Sequence, residues 1–302
     1  MIASNSIPPQ RMQQTIAGPA EISGVGFFTG ADVTLRFLPA AAGHGIAFQR
    51  TDRPGTAPIP AIIAYAVPRR RRTAIEHQGV AVEMTEHVLA ALAGLRIDNC
   101  LVELNAPEPP GCDGSSRAFA EALLEAGIVV QDEPRTVHVI ESPFRVGEDV
   151  DRAEIAARPL SRGTLAISYH LDYGPRSPIP PQTLTVEISP ETFVNELAFA
   201  RTFVLESEVE ALRAQGHGTR ISARDLLVFG PDGVIDNQLR ADDECVRHKI
   251  LDCLGDFALL GCDIHGHVSA YRSGHQLNRE LIHRLQMIAR RLPAAAPRRH
   301  AA

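Results

Sequence analysis

The chain has 302 residues, 44% of them hydrophobic, which is enough for two ordinary domains or one large domain with a buried core. This composition excludes an intrinsically disordered protein. Asp and Glu number 36 against 30 Lys and Arg, so a net charge of -6 provides no global basic field for nucleic acid. An anionic ligand would have to be bound by local basic residues.

Several segments show the alternation of apolar and polar residues that is typical of strands. Alternation first appears at Val33, Leu35 and Phe37, and it recurs in residues 100–104, 136–140 and 165–171. The glycine-rich segment GVGFFTG (24–30) precedes the first of these runs. Because a strand follows it instead of a helix, the pattern favours a hairpin over a phosphate-binding loop.

Four helices are predicted from their start and stop signals. Their predicted limits are Thr85 to Gly94, Ser115 or Ser116 to Gly127, Asp242 or Asp243 to about Gly261, and His275 to Leu292. Strands and helices mix without strict βαβ alternation, which favours an α+β architecture with helices on one face of each sheet.

Residues 129–135 (VVQDEPR) are polar, contain a proline and lie near the middle of the chain, so they are interpreted as a linker. The two halves echo each other weakly. EHVLAALAGL leads through IDN into a strand, and RHKILDCLGD leads through GCDIHG into another, which indicates a duplicated unit. Residues 293–302 are predicted to form a flexible tail.

Five cysteines include no CxxC pair, so neither a disulfide framework nor a thiolate metal site is expected. The N-terminal residues lack the apolar run of a signal peptide, and no segment approaches the roughly 18 apolar residues that cross a bilayer. These features predict a cytoplasmic protein.

Lys249 is the only lysine among 30 basic residues. An ammonium is a compact point charge, whereas a guanidinium is planar and larger, so a single retained lysine suggests a functional requirement. Chance retention on a solvated helix face is the alternative.

His248 and Asp252 are four residues apart and therefore share one face of the long helix. Imidazole and carboxylate are good zinc ligands, and a third ligand would come from elsewhere in the chain. An exposed ion pair is the alternative. Glu86 and His87 open an earlier helix, where a base beside a metal ligand and a glutamate that only complements the helix dipole both fit the sequence.

His275 lies at a turn between a strand and the last helix, where it could donate a proton or simply belong to the helix cap. Thr202, in FARTF, could offer its hydroxyl to an oxyanion. The basic run Arg69–Arg72 is open to three interpretations: a solvated loop, a membrane-surface contact or part of an anion site. No aromatic residues that would support single-strand nucleic-acid binding surround it.

The motifs together, in their order, resemble the LpxC family, the zinc-dependent deacetylases of UDP-3-O-acyl-N-acetylglucosamine in lipid A biosynthesis. The resemblance spans about residues 14–292. It rests on TIAGPAEISGVGFFTGADVTL, TEHVLAALAGLRIDN, APEPPGCDGSSRAF, ELAFARTF, HKILDCLGD and YRSGHQLN.

The resemblance implies a role for each matching residue. His87, His248 and Asp252 would bind one zinc ion, Glu86 would be the general base, His275 the general acid and Thr202 the oxyanion donor. Lys249, Phe203 and Arg272 would contact the substrate, with Lys249 meeting a phosphate or the charge at the reacting centre. Asp256 would orient a ligand or the catalytic histidine.

The implied fold is a pair of α+β domains of similar topology, each a sheet with helices packed on one face. The helices are sandwiched between the two sheets, and each domain bears one insert. Residues 14–130 would form the first domain after an N-terminal segment (1–13), and 131–292 the second. The second insert, about 204–234, would shape an apolar passage for the acyl chain.

Two departures from the family pattern concern substrate contacts. Phe28 stands where GVGLHTG has His, and HGTRISARDLLVF (residues 217–229) differs from the usual glycine-rich segment. The resemblance further implies a monomer whose contact with a membrane surface is transient. The alternatives are a zinc amidohydrolase of the same fold acting on another N-acylated nucleotide sugar, and a catalytically silent ligand-binding relative.

Overall fold

The computed structural model describes residues 11–147 and 153–291; the predicted tail (293–302) and most of the N-terminal segment (1–13) lie outside them. The strands of the first half are β1 (Met12–Ile16), β2 (Ala20–Val25), β3 (Asp32–Pro39), β4 (Ile46–Arg50), β5 (Ile59–Pro60), β6 (Ala66–Val67), β7 (Ala74–His77), β8 (Val80–Glu83), β9 (Cys100–Leu104) and β10 (Ile128–Pro134). Those of the second half are β11 (Val137–Val139), β12 (Phe144–Val146), β13 (Glu154–Arg158), β14 (Leu165–Leu171), β15 (Gln182–Glu187), β16 (Phe203–Leu205), β17 (Leu227–Gly230), β18 (Gly233–Val234) and β19 (Asp263–Tyr271).

The helices are α1 (Glu86–Gly94), α2 (Arg117–Glu125), α3 (Pro190–Thr192), α4 (Glu206–Ala214), α5 (Glu244–Phe257) and α6 (His275–Arg291). A π-helical segment, Phe193–Leu197, continues α3, and a 3-10 turn, Ala258–Leu260, continues α5 as far as Gly261. Gly261 ends that helix in the left-handed conformation, with φ of 76°, which glycine adopts without a steric penalty. All four predicted helices are confirmed.

Two sheets repeat the same connectivity. In the first the strand order is β2-β3-β9-β4-β5, and in the second it is β12-β13-β19-β14-β15, with β11 added beside β19. β9 pairs antiparallel with β3 and parallel with β4, and β19 pairs antiparallel with β13 and parallel with β14, with β11 as a further parallel partner. Each of these central strands follows the helix, α1 or α5, that carries the duplicated motif. The predicted α+β fold with two similar halves is confirmed.

Helices α1 and α5 pack directly against each other. Their approach depends on Gly255, because a Cβ at that position would lie 2.1 Å from the backbone oxygen of Glu86. Most residues of both helices are buried, and α5 also packs on β14 and β15. This contact holds the first turn of α1 beside the middle of α5.

Each half also carries a small three-stranded sheet outside the repeated one. β6, β7 and β8 form the first, and β16, β17 and β18 form the second together with α4. These sheets correspond to the two expected inserts. The second lies within residues 203–234, close to the predicted limits of 204–234.

Two local predictions were wrong. Residues 129–135, interpreted as a linker, lie mostly in strand β10, which pairs antiparallel with β1. Its first three residues, Ile128, Val129 and Val130, are β-branched and favour an extended backbone. Thr85 precedes α1, but its side chain does not cap that helix. Ser115, one of the two predicted starts of α2, accepts a hydrogen bond of 3.2 Å from the backbone N–H of Arg117, whereas Ser116 makes no capping bond. The Ser116 hydroxyl instead donates to the backbone oxygen of His87, 2.8 Å away.

Candidate active site

Three predicted metal ligands meet where α1 and α5 touch. His87 comes from the first turn of α1, and His248 and Asp252 come from one face of α5. Asp252 Oδ1 lies 3.3 Å from His248 Nε2 and 3.7 Å from His87 Nε2. The three ligand atoms all lie within 4.8 Å of one another and are buried, so they could hold a metal ion together.

The protonation states of these side chains suit a divalent cation. Burial, reinforced by the charge of His248, lowers the pKa of His87 to about 3, and burial also lowers the pKa of His248. Burial opposes ionisation of Asp252, but the neighbouring His248 and Lys249 bring its pKa below the usual range. Two neutral imidazoles and one carboxylate are a donor set that zinc accepts.

The His248 ring is also oriented by a contact on its far side. Its Nδ1 lies 3.1 Å from the backbone oxygen of Ala200, an arrangement in which Nδ1 donates and Nε2 keeps its lone pair for a ligand. Lys249 Nζ donates to Asp252 Oδ2 over 2.7 Å, and this leaves Oδ1 facing the two histidines. The donor atoms are therefore held in place by their neighbours.

Glu86 lies beside this cluster and is 2% exposed. Its Oε2 accepts a hydrogen bond of 3.0 Å from the backbone N–H of Thr73. Burial raises the pKa of Glu86 to about 7, with the charges of Asp252 and Asp256 acting in the same direction and His275 opposing them. A carboxylate with a pKa near neutrality is matched to proton transfer at physiological pH.

His275 faces Glu86 from the start of α6, with 3.9 Å between Nε2 and Glu86 Oε1. Its Nδ1 lies 2.9 Å from Asp256 Oδ2. Burial alone would lower the pKa of His275, but the charge and hydrogen bond of Asp256, followed by the charge of Glu86, raise it to about 9. His275 is therefore protonated at neutral pH, with Nε2 as the N–H donor nearest to Glu86.

Two residues that hold Asp256 were missed in the sequence. The Thr73 hydroxyl donates to Asp256 Oδ1, and Asn278 Nδ2 donates to Asp256 Oδ2 over 2.8 Å. Ser273 in turn donates to Asn278 Oδ1 over 2.6 Å. Asn278 is three residues beyond His275, a spacing that places both on one helix face and that could have indicated this contact.

A cleft of about 700 Å³ opens over these groups. Its lining includes Glu86, His87, His248, Asp252 and His275. It also includes apolar residues of the second insert, namely Val204, Leu212, Ile221 and Leu226. The cleft therefore combines polar groups with apolar residues of the insert.

The remaining predicted site residues differ in their placement. Thr202, Phe203 and Lys249 line the cleft, and the Phe203 ring centroid lies 6.2 Å from that of His248. Arg272 is not among the lining residues, and its guanidinium donates to Asp172 Oδ2 over 2.6 Å. Arg272 thus neighbours the cleft with its charge already paired.

Three residues of the basic run, Arg69, Arg70 and Arg71, also line the cleft. Arg69 pairs with Glu76 and Glu83, Arg71 with Glu208, and Arg72 with Glu83. The guanidinium of Arg72 also stacks 4.1 Å from the ring centroid of Phe28, the residue that departs from the family pattern. Most of the positive charge in this run is therefore neutralised within the described part of the chain.

Comparisons with known proteins show to which family the chain belongs. The profile of the family described as "LpxC: UDP-3-O-acyl N-acetylglycosamine deacetylase" matches residues 13–287. The UDP-3-O-acyl-N-acetylglucosamine deacetylases of Syntrophotalea carbinolica and Myxococcus xanthus are 37% and 36% identical to this chain. The alignments cover 90% and 92% of this chain, and 87% of each relative. A bifunctional LpxC/FabZ enzyme of Chlorobaculum tepidum is 37% identical over 95% of this chain and 67% of its own length. The chain belongs to the LpxC family.

Proposed function

We propose that this chain is an amidohydrolase that removes the N-acetyl group of UDP-3-O-acyl-N-acetylglucosamine in lipid A biosynthesis, giving UDP-3-O-acyl-glucosamine and acetate. Its relatives are named for this activity. The observation that carries the proposal is the buried cluster of His87, His248 and Asp252 beside Glu86 and His275. A protein that only bound the substrate would need neither a buried base nor a protonated acid there.

One zinc ion per chain is the proposed cofactor, held by His87, His248 and Asp252. When bound, zinc supplies a Lewis acid that acidifies water and polarises the acetyl carbonyl. Three protein ligands are typical of catalytic zinc, since structural sites are closed by a fourth. The two histidines stay neutral and Asp252 stays ionised around neutral pH, so no proton has to leave them when the ion binds.

Glu86 takes the proton of the attacking water. Its Oε2 is held by the backbone of Thr73, and Oε1 is the oxygen nearer to His275. A residue whose pKa is near 7 is partly ionised at neutral pH and can both accept this proton and release it. The fixed carboxylate thus reaches the water without a conformational change in its own helix.

His275 protonates the leaving nitrogen. An amide cleaves only if its nitrogen leaves as an amine, and a protonated imidazole supplies the required proton. Asp256 keeps Nδ1 hydrogen-bonded, which presents the proton on Nε2 towards the reacting centre. Asp256 is therefore a positioning residue that acts through His275.

Other cleft residues would place the substrate. The hydroxyl of Thr202 is proposed to donate to the oxyanion, and Phe203, Lys249 and Arg272 to contact the sugar nucleotide. The apolar lining contributed by residues 204–226 would receive the acyl chain. This division matches a substrate with a charged head and an apolar tail.

The location, oligomeric state and domain limits of the enzyme are also part of the proposal. None of the described helices is long and apolar enough to cross a membrane. We expect a monomer in the cytoplasm that touches the membrane surface only transiently, with domains at residues 14–130 and 131–292. Nucleic acid is not an expected partner, because the chain has a net charge of -6.

The test pairs metal analysis with turnover. The purified full chain should contain one zinc per chain and release acetate from UDP-3-O-acyl-N-acetylglucosamine. Chelation should abolish release, and added zinc should restore it. UDP-N-acetylglucosamine without the acyl chain is the matched control and should react far more slowly. Full zinc occupancy without acetate release would refute the proposal, and faster release from another N-acylated nucleotide sugar would assign a different substrate.

A further inference from the structure

A second cavity, of about 370 Å³, is lined by residues that lie later in α1 and α5 than those lining the catalytic cleft. Glu86 and His87 of α1 line the cleft, whereas Leu89 and Leu92 line the second cavity. The volume falls at the lower end of the usual range for small-molecule sites, about 300 to 1,000 Å³. The proposed deacetylation uses no residue of this second cavity.

The cavity has a large apolar part, which comes from both halves of the chain. The first half contributes Ile46, Ile62, Leu89, Leu92 and Ile97, and the second contributes Leu165, Ile188, Leu254, Phe257 and Ile264. Apolar lining of this extent favours a ligand with a hydrophobic body.

The positive and negative charges of the residues that line the cavity do not cancel. Arg11 and Arg135 are both paired with Asp98 and Asp263, so four of the charges form one neutral network. Arg96 also lines the cavity, and its guanidinium has no ion pair or hydrogen bond to any residue that the structure describes. One positive charge is therefore left without a counter-charge among these residues.

The backbone at Arg96 gives an independent indication. Arg96 directly follows the C-cap residue of α1 and has φ of 59°, a left-handed conformation that favours glycine at this position. Arginine costs about 1 kcal/mol there. Arg96 therefore occupies a position whose backbone conformation favours glycine.

A polar atom in the same lining also lacks a partner. Thr164 Oγ1 is buried and makes no hydrogen bond to any described residue. Buried hydroxyls in native proteins are nearly always hydrogen-bonded, so this one suggests a missing partner. His265 lies in the same lining. Burial lowers its pKa, with the charge of Arg96 acting in the same direction and Asp263 opposing both, so His265 is neutral at pH 7 and can donate or accept.

We infer that this cavity binds an amphiphilic monocarboxylate, with its carboxylate on Arg96 and its aliphatic body among the apolar residues between the two halves. A monoanion matches the single unpaired charge. At roughly 30 Å³ per non-hydrogen atom, 370 Å³ accommodates about twelve atoms, the size of a ten-carbon acid.

Hydrogen exchange of the full-length, zinc-loaded chain with decanoate tests this inference. Exchange reports location, so this cavity is distinguished from the catalytic cleft, whose apolar residues could also take a fatty acid. Decanoate should slow exchange at residues 43–46 and 261–265. Neither 1-decanol, which has the tail without the charge, nor butyrate, which has the charge with a short tail, should do so at equal concentration.

Three variants complete the test. Arg96→Gln should weaken decanoate binding at these segments tenfold or more, the scale of losing a hydrogen bond to a charged group. Ala93→Leu, which fills the lining but keeps Arg96, should also abolish the protection. Arg284→Gln removes an equal charge from an exposed position on α6 and should leave it intact. Protection confined to residues 204–226, or equal binding by Arg96→Gln, would overturn the inference.

Discussion

Asp256→Asn tests how the protein keeps His275 protonated. The carboxylate contributes a charge and a 2.9 Å hydrogen bond to Nδ1, and the pKa of His275 rises from 6.5 to about 9. At about 1.36 kcal/mol per pKa unit, this rise corresponds to roughly 3 kcal/mol favouring the protonated ring. Asparagine retains the shape of the side chain but removes the charge, so burial should then return the pKa to about 6.5 or below.

The expected readout is the alkaline limb of kcat/KM against pH. A general acid is lost as pH rises through its pKa, so activity should fall above about pH 9 in the unmodified chain and above about 6.5 in the variant. At pH 7.5 the protonated fraction would drop about tenfold, and the deficit should shrink as pH falls towards 6. Asp263→Asn alters a half-buried carboxylate paired with Arg11; it is the control and should leave the limb in place. An alkaline limb unchanged in Asp256→Asn would refute the reasoning.

Four further substitutions address the site. Asp252→Ala should lose zinc in metal analysis while far-UV circular dichroism stays native, and one tight zinc per chain in that variant would remove Asp252 from the ligand set. Glu86→Gln should keep zinc but slow acetate release by about two or more orders of magnitude; near-normal turnover would exclude it as the base. Gly255→Ala should lower the free energy of unfolding in urea by about 1–3 kcal/mol, whereas an ordinary helix glycine would give a gain. Lys249→Arg should reduce kcat/KM tenfold or more at equal zinc content, and an unchanged ratio would exclude a requirement for an ammonium at this position.

Local patterns in the sequence predicted the elements well because each element has a local cause. The alternation at Val33, Leu35 and Phe37 reappears as the buried face of β3, and Gly261 ends α5 and its extension as expected. β10 was missed since its pairing partner, β1, lies more than 100 residues earlier. An edge strand with a proline carries little local signal of its own.

The site residues also differ in whether a local pattern in the sequence could identify them. The spacing of His248 and Asp252 places them on one helix face without any knowledge of the fold, so the sequence could identify them. That His87 joins them depends on the contact of α1 with Gly255, and only tertiary packing reveals this contact. The hydrogen bond of Thr73 to Asp256 joins residues 183 positions apart, which no periodicity connects.

Lys249 was singled out from composition alone, and the structure gives a physical reason for an ammonium at this position. Its Nζ donates to Asp252 Oδ2 and leaves Oδ1 directed at the two histidines. A guanidinium presents two parallel N–H groups that match both oxygens of a carboxylate, so an arginine would compete for the oxygen that faces the two histidines. The ammonium of Lys249 instead neutralises the buried carboxylate of Asp252 through a contact with one oxygen only. A chain that uses arginine at every other basic position therefore has reason to keep its single lysine next to this aspartate.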